Sequence, residues 1–165
     1  MCIKKIICFS FIIVVTLLLS GCGFKKNKFL YDGKYMEVYF NVNDNYVLSL
    51  EEKYFNNLES GILIGDKFDI GIVENKDLFL DIYNGDFSSY MDLYKDNSYF
   101  KEVKYSSLDG FSYYSKNDKK YIVYLPLKNK YILQLNVYSK GNNMEKIIKS
   151  RELRRVLKNI IIYEK

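Results

Sequence analysis

The chain has 165 residues, 3 cysteines, 1 proline and neither histidine nor tryptophan, with a formal charge of +5. Lacking histidine, it has no Ser-His-Asp or Cys-His catalysis, no imidazole metal ligand and no histidine pH switch. Hydrophobic residues at 48% and aromatics at 17% argue against intrinsic disorder, and the length suits one domain.

Residues 1–21 read as an address. Lys4 and Lys5 form a positive start, and residues 6–19 are an apolar run broken only by Cys8, Ser10 and Thr16. The run is short for a bilayer-spanning helix, which needs about 20 apolar residues, and it fits the core of a secretory signal. Leu19-Ser20-Gly21-Cys22 follows. This stretch resembles the lipobox of bacterial lipoproteins, Leu-Ser/Ala-Gly/Ala-Cys. The resemblance implies diacylglycerylation of the Cys22 thiol, cleavage just before it, and a lipid-anchored protein on the extracytoplasmic face of the cell membrane. The competing reading is a transmembrane anchor with an incidental cysteine.

Removing residues 1–21 takes away Cys2, Cys8, two lysines and no acids, which leaves 144 residues at +3. That charge is too weak to argue for nucleic acid. With Cys22 lipidated, the remainder has no free thiol, so disulfides, thiolate metal sites and a cysteine nucleophile are all excluded. Abundant Lys, Asn, Ile and Tyr fit an AT-rich genome and a low-GC Gram-positive bacterium. Residues 22–28 read as the lipidated cysteine and a basic tether carrying Lys25, Lys26 and Lys28, and 29–165 as a single domain.

Within that domain, residues 34–42 alternate with the period of a half-buried strand, Met36, Val38, Phe40 and Val42 sharing a face. Asn43-Asp44-Asn45 makes a turn. Residues 46–50 either return as a hairpin partner or lead into a short helix around 51–57. Residues 61–64 and 68–74 form a hairpin closed at Gly65-Asp66-Lys67, and a strand follows at 78–83. A helix is expected over 87–95, capped by Asp86 or Ser88. Runs at 99–106, 111–115, 121–127 and 131–138 form an antiparallel meander, with Pro126 at a strand end or edge. The chain closes with a helix capped by Ser150. Its apolar stripe is Leu153, Val156, Leu157 and Ile160, and Arg151, Arg154, Arg155 and Lys158 lie opposite.

This order is similar to the PsbP-like fold, so the expected class is α+β: an antiparallel sheet with helices packed on it and a closing amphipathic helix. The resemblance implies binding, assembly or accessory roles and no shared catalytic residues.

Two candidate sites stand out. The three arginines of the chain, Arg151, Arg154 and Arg155, gather with Lys158 on one helix face. Guanidinium forks suit carboxylates and phosphates, so the face could meet a lipid headgroup, teichoic acid or acidic partner, or simply be solvated. Tyr113, Tyr114, Tyr124 and Tyr138 are candidates for aromatic recognition, against the plain reading that tyrosine favours strands. Asn41, Asn43, Asp44 and Asn45 lack a calcium-loop pattern, and Asp66, Asp69, Glu74, Asp77 and Asp81 supply carboxylates with no readable separation. The expectation is therefore a non-enzymatic binding or accessory lipoprotein for an envelope protein or peptide, without cofactor or metal. The alternatives are a structural subunit of a membrane complex and an immunity lipoprotein against an antimicrobial peptide.

Overall fold

The computed structural model describes residues 27–43, 45–50, 60–76, 86–128, 131–141 and 143–165. The lipobox and Cys22, the expected helix at 51–57 and the expected strand at 78–83 lie outside the described residues.

The alternation around residue 36 becomes strand β2 (Met36–Val42), which buries Met36, Val38, Phe40 and Val42 and turns Glu37, Tyr39 and Asn41 outward. One partner is its neighbour in sequence and the other lies more than a hundred residues on. Strand β1 (Asn27–Asp32) flanks it on one side and β10 (Ile161–Glu164) on the other, both antiparallel. The β1–β2 turn is clamped from outside. Glu74 accepts hydrogen bonds from the Lys34 amide at 2.8 Å and the Tyr35 amide at 3.3 Å.

A second sheet has seven antiparallel strands. In spatial order they are β3 (Val47–Ser49), β4 (Gly61–Ile64), β5 (Phe68–Lys76), β9 (Tyr131–Ser139), β8 (Lys120–Pro126), β7 (Leu108–Ser115) and β6 (Ser98–Tyr105). One face contributes Leu63, Ile70, Ile72, Tyr121, Val123, Leu125, Leu133, Leu135 and Val137 to the main core. The three-stranded sheet closes over that core together with helices α2 (Met144–Lys149) and α3 (Arg151–Lys158). On the other face, helix α1 (Phe87–Asp92) covers a smaller aromatic core. Among the described residues no helix is long and apolar enough to cross a membrane.

Local chemistry sets the helix ends. Asp86 starts α1 by accepting from the Ser88 amide at 3.0 Å, and its carboxyl is held below the usual range by the Ser89 hydroxyl and that amide. Ser150 serves twice. Its amide closes α2 onto the Ile147 carbonyl, and its hydroxyl accepts from the Leu153 amide to open α3.

The α+β, PsbP-like expectation is corrected. The described residues hold ten strands in two sheets against three helices of six, six and eight residues, a mainly-β architecture. The last element is a strand, not a helix. α3 stops at Lys158, and Ile160 is buried outside it; β-branched residues 160–162 carry the chain into β10. Two smaller expectations also change. Asn27 and Lys28 belong to β1, not to the tether, and β3 pairs with β4 rather than with β2.

Two outcomes follow from this packing. Gly110 lies where an added Cβ would run into the Tyr124 carbonyl oxygen, which the β7–β8 ladder holds in place. Gly110→Ala is expected to destabilise by about 1–3 kcal/mol in urea unfolding. The second concerns pH. Burial raises the phenol pKa of Tyr31, Tyr46, Tyr105, Tyr113 and Tyr121. The folded state therefore holds these protons more tightly than the unfolded chain does. Stability is full below about pH 10 and declines as pH rises through the raised values. Urea midpoints at about pH 8 and about pH 11 test this, with a clear drop expected at the higher pH.

Candidate functional site

α3 exposes all four expected cations, Arg151, Arg154, Arg155 and Lys158, while Leu153, Val156 and Leu157 face the core. They do not act as one patch. Arg154 turns back on the α2–α3 corner. Its Nη2 donates to the Lys149 carbonyl at 2.7 Å, an acceptor at the end of α2, and its Nε to the Ser150 carbonyl at 3.3 Å, which also accepts from the Arg154 amide. Arg155 lies by Glu152, which also accepts from the Tyr46 hydroxyl at 2.9 Å and from Lys67 at 2.6 Å. Burial works to raise the Glu152 pKa. The bonds from Lys67 and Tyr46 and the charges of Lys67 and Arg155 outweigh it, and the net shift is downward. Arg151 and Lys158 remain on the solvent side of the helix.

The four tyrosines likewise divide. Tyr113 is buried at 6% exposure, and Tyr124 is half-buried. Both belong to the aromatic core under α1, where Tyr94 stacks on Tyr113 at 4.9 Å and on Phe111 at 5.2 Å, and Phe111 lies 5.2 Å from Tyr124. Tyr114 packs against the main core instead, and Tyr138 is half-buried opposite Asp69 and Lys120. Tyr113 and Tyr124 thus lie on the face that α1 covers.

Of the carboxylate candidates, Asp77 and Asp81 lie outside the described residues, and the other three are held by structural partners. Asp69 accepts from the Gly65 amide and pairs with Lys140, Asp66 accepts from Asn45, and Glu74 clamps the first turn. Among the described residues, no three His, Cys, Asp or Glu side chains gather as a metal site.

What the fold brings together is a different set. Strand β6 has a register break between Ser98 and Lys101, and Tyr99 sits there at φ 59°, in the left-handed region. A bulge bends its strand and re-aims side chains, and such strain in a bulky residue persists only where the surroundings fix it. The break faces the α2–α3 corner across a groove of about 340 Å³ lined by Tyr99, Phe100, Lys101, Ile148, Lys149 and Arg154. The Lys149 ammonium lies 5.3 Å from the centre of the Tyr99 ring, a cation–π contact. Among the described residues, three cations line this groove and no carboxylate does. Burial, and then the charge of Arg154, lower the pKa of Lys101. The groove therefore favours a negatively charged group flanked by apolar surface.

Only Arg154 of this groove was among the expected site residues. Lys101 and Lys149 are far apart in sequence, and each reads alone as an ordinary surface lysine. A hint lay in the basic run through Lys149 and Arg151, just ahead of the helix.

No protein-family description matches the sequence, and no curated protein matches it. Among solved structures the chain is similar to LpqN, described as involved in cell envelope biogenesis of Mycobacterium tuberculosis. The identity is 16% and the TM-score 0.46, over 84% of this chain and 91% of that one. A likeness of that size transfers neither fold nor function.

The arginines can be separated by stability. Arg154→Ala is expected to cost roughly 0.5–1 kcal/mol through its two carbonyl bonds, and Arg151→Ala less than that. Equal urea midpoints for the two variants would contradict the role of Arg154 at the helix corner.

Proposed function

We propose that this chain is a lipid-anchored, extracytoplasmic, non-enzymatic binding module that takes an anionic component of the cell envelope in the groove between β6 and the α2–α3 corner. The anchor rests on the order of basic start, apolar run and Leu19-Ser20-Gly21-Cys22. The binding role rests on one observation, the three cations Lys101, Lys149 and Arg154 around an aromatic wall without a carboxylate. Ammonium and guanidinium groups favour phosphate or carboxylate, and Tyr99, Phe100 and Ile148 line the groove with carbon beside them.

The other readings draw less support. Docking as an assembly subunit through the α3 stripe draws on cations that turn different ways, Arg154 to the helix corner and Arg155 to Glu152. Capture of a cationic antimicrobial peptide is opposed by the groove's own charge.

Two measurements test this reading. Cys22→Ala should move the protein from the membrane fraction to the soluble fraction, and an unchanged membrane fraction argues against the anchor. Poly(glycerol phosphate) serves as the anionic probe. Lys101→Glu with Lys149→Glu should weaken its binding roughly tenfold or more, while Arg151→Glu with Lys158→Glu has a smaller effect. Equal loss from both pairs would return the role to general surface charge.

A further inference from the structure

The outer face of the three-stranded sheet is built differently from the rest of the surface. Register places Leu30, Tyr39 and Ile161 in one row across β1, β2 and β10, with Asp32, Glu37 and Tyr163 in the next. Leu30 is 41% exposed, Ile161 39% and Tyr163 57%. Tyr39 and Tyr163 meet edge-to-face at 5.6 Å. A hollow of about 460 Å³ opens between these rings, bounded by Lys28 and Asn41 at one end. The polar groups on the face are tied into local contacts, and Glu37 keeps its carboxylate there. Asp32 pairs with Lys165, and Glu37 accepts from the Tyr39 hydroxyl at 3.0 Å. Lys28 is left beside the apolar rows.

We propose that this face rests on the phospholipid surface that holds the chain's own anchor; the inference depends on the lipidation of Cys22 proposed above. Chain length carries the argument. β1 begins at Asn27, five residues after Cys22, so at full extension the tether spans no more than about 18 Å. β1 is about as long as that tether, and its first outward side chain is Lys28. A surface so close to the bilayer cannot stay far from it, and this face is the apolar one beside the point of attachment. Its chemistry suits the headgroup layer. Tyrosine rings with polar tips favour that depth, and Leu30 and Ile161 gain by leaving water. Lys25, Lys26 and Lys28 supply positive charge toward anionic headgroups.

The lipidated Cys22 has no thiol, and Cys2 and Cys8 leave with the signal. A cysteine introduced into the full chain and processed in cells is then the only thiol to label. Tyr163→Cys and, on the same face, Ile161→Cys carry an environment-sensitive fluorophore. Leu93→Cys, 52% exposed in the turn after α1, is the control on the opposite side of the large sheet. Each is reconstituted in phosphatidylglycerol vesicles doped with a bromine-bearing lipid quencher. Labels at 161 and 163 should be quenched about twofold or more over the label at 93. Equal quenching at all three, with Cys22 diacylated by mass spectrometry, overturns the docking and leaves the anchor standing. An unmodified Cys22 overturns the anchor and the docking with it. Shielding at 163 that follows protein density rather than lipid assigns the face to a second copy and also overturns the proposal.

Discussion

The pairing of β5 with β9 holds the molecule together. Nine residue pairs, from Phe68 opposite Ser139 to Lys76 opposite Tyr131, join the early β3–β4–β5 unit to the later β6–β9 meander. Both pieces are built from sequence neighbours, and this is the seam that turns them into one sheet. It also aligns Ile70 with Val137 and Ile72 with Leu135 on the core face. A slip of one residue would turn each of these side chains to the wrong side. The face that the seam fixes is the floor on which β2, α2 and α3 lie.

Local signals made much of this legible. β8 and β9 alternate cleanly, and Tyr121, Val123, Leu133 and Leu135 are all core residues. Asp86 and Ser150 act as the expected caps, and Pro126 ends its strand where its missing amide costs least. The misses share a cause. Asn27 and Lys28 look like tether because lysine is polar, yet an edge strand with one solvent face accepts lysine. Ile160 continues the helical stripe of Leu153, Val156 and Leu157 by spacing alone, and so the periodicity conceals where the strand begins. The partner of β3 is a matter of long-range register that no local residue encodes.

The groove was the least legible feature, for a related reason. Its walls come from a strand and a helix corner separated by three further strands in the chain, and they meet through a bulge that residue types do not announce. Arginine appears three times in a chain that otherwise uses lysine, and one of the three serves the backbone. Guanidinium at a helix corner can satisfy two carbonyls at once, a task for which its planar fork is better suited than an ammonium. The tyrosines show the same division of labour. Those under α1 act as large apolar plates, and Tyr121 uses its hydroxyl inside the core, donating to Ser112 at 2.7 Å.

The place of β10 has a consequence for the order of assembly. β2 is flanked by a strand that precedes it directly and by one that follows every other described element in the chain. During synthesis, or passage through a membrane channel in the same direction, the β1–β2 hairpin can form while β2 still has a bare edge. That edge can be filled only once β10 has arrived. Until then the inner side chains of the small sheet lack Ile162 beside them. β10 is thus the latch that closes the sheet begun by β1 and β2, and a bulky group set directly behind Glu164 places a load on that latch.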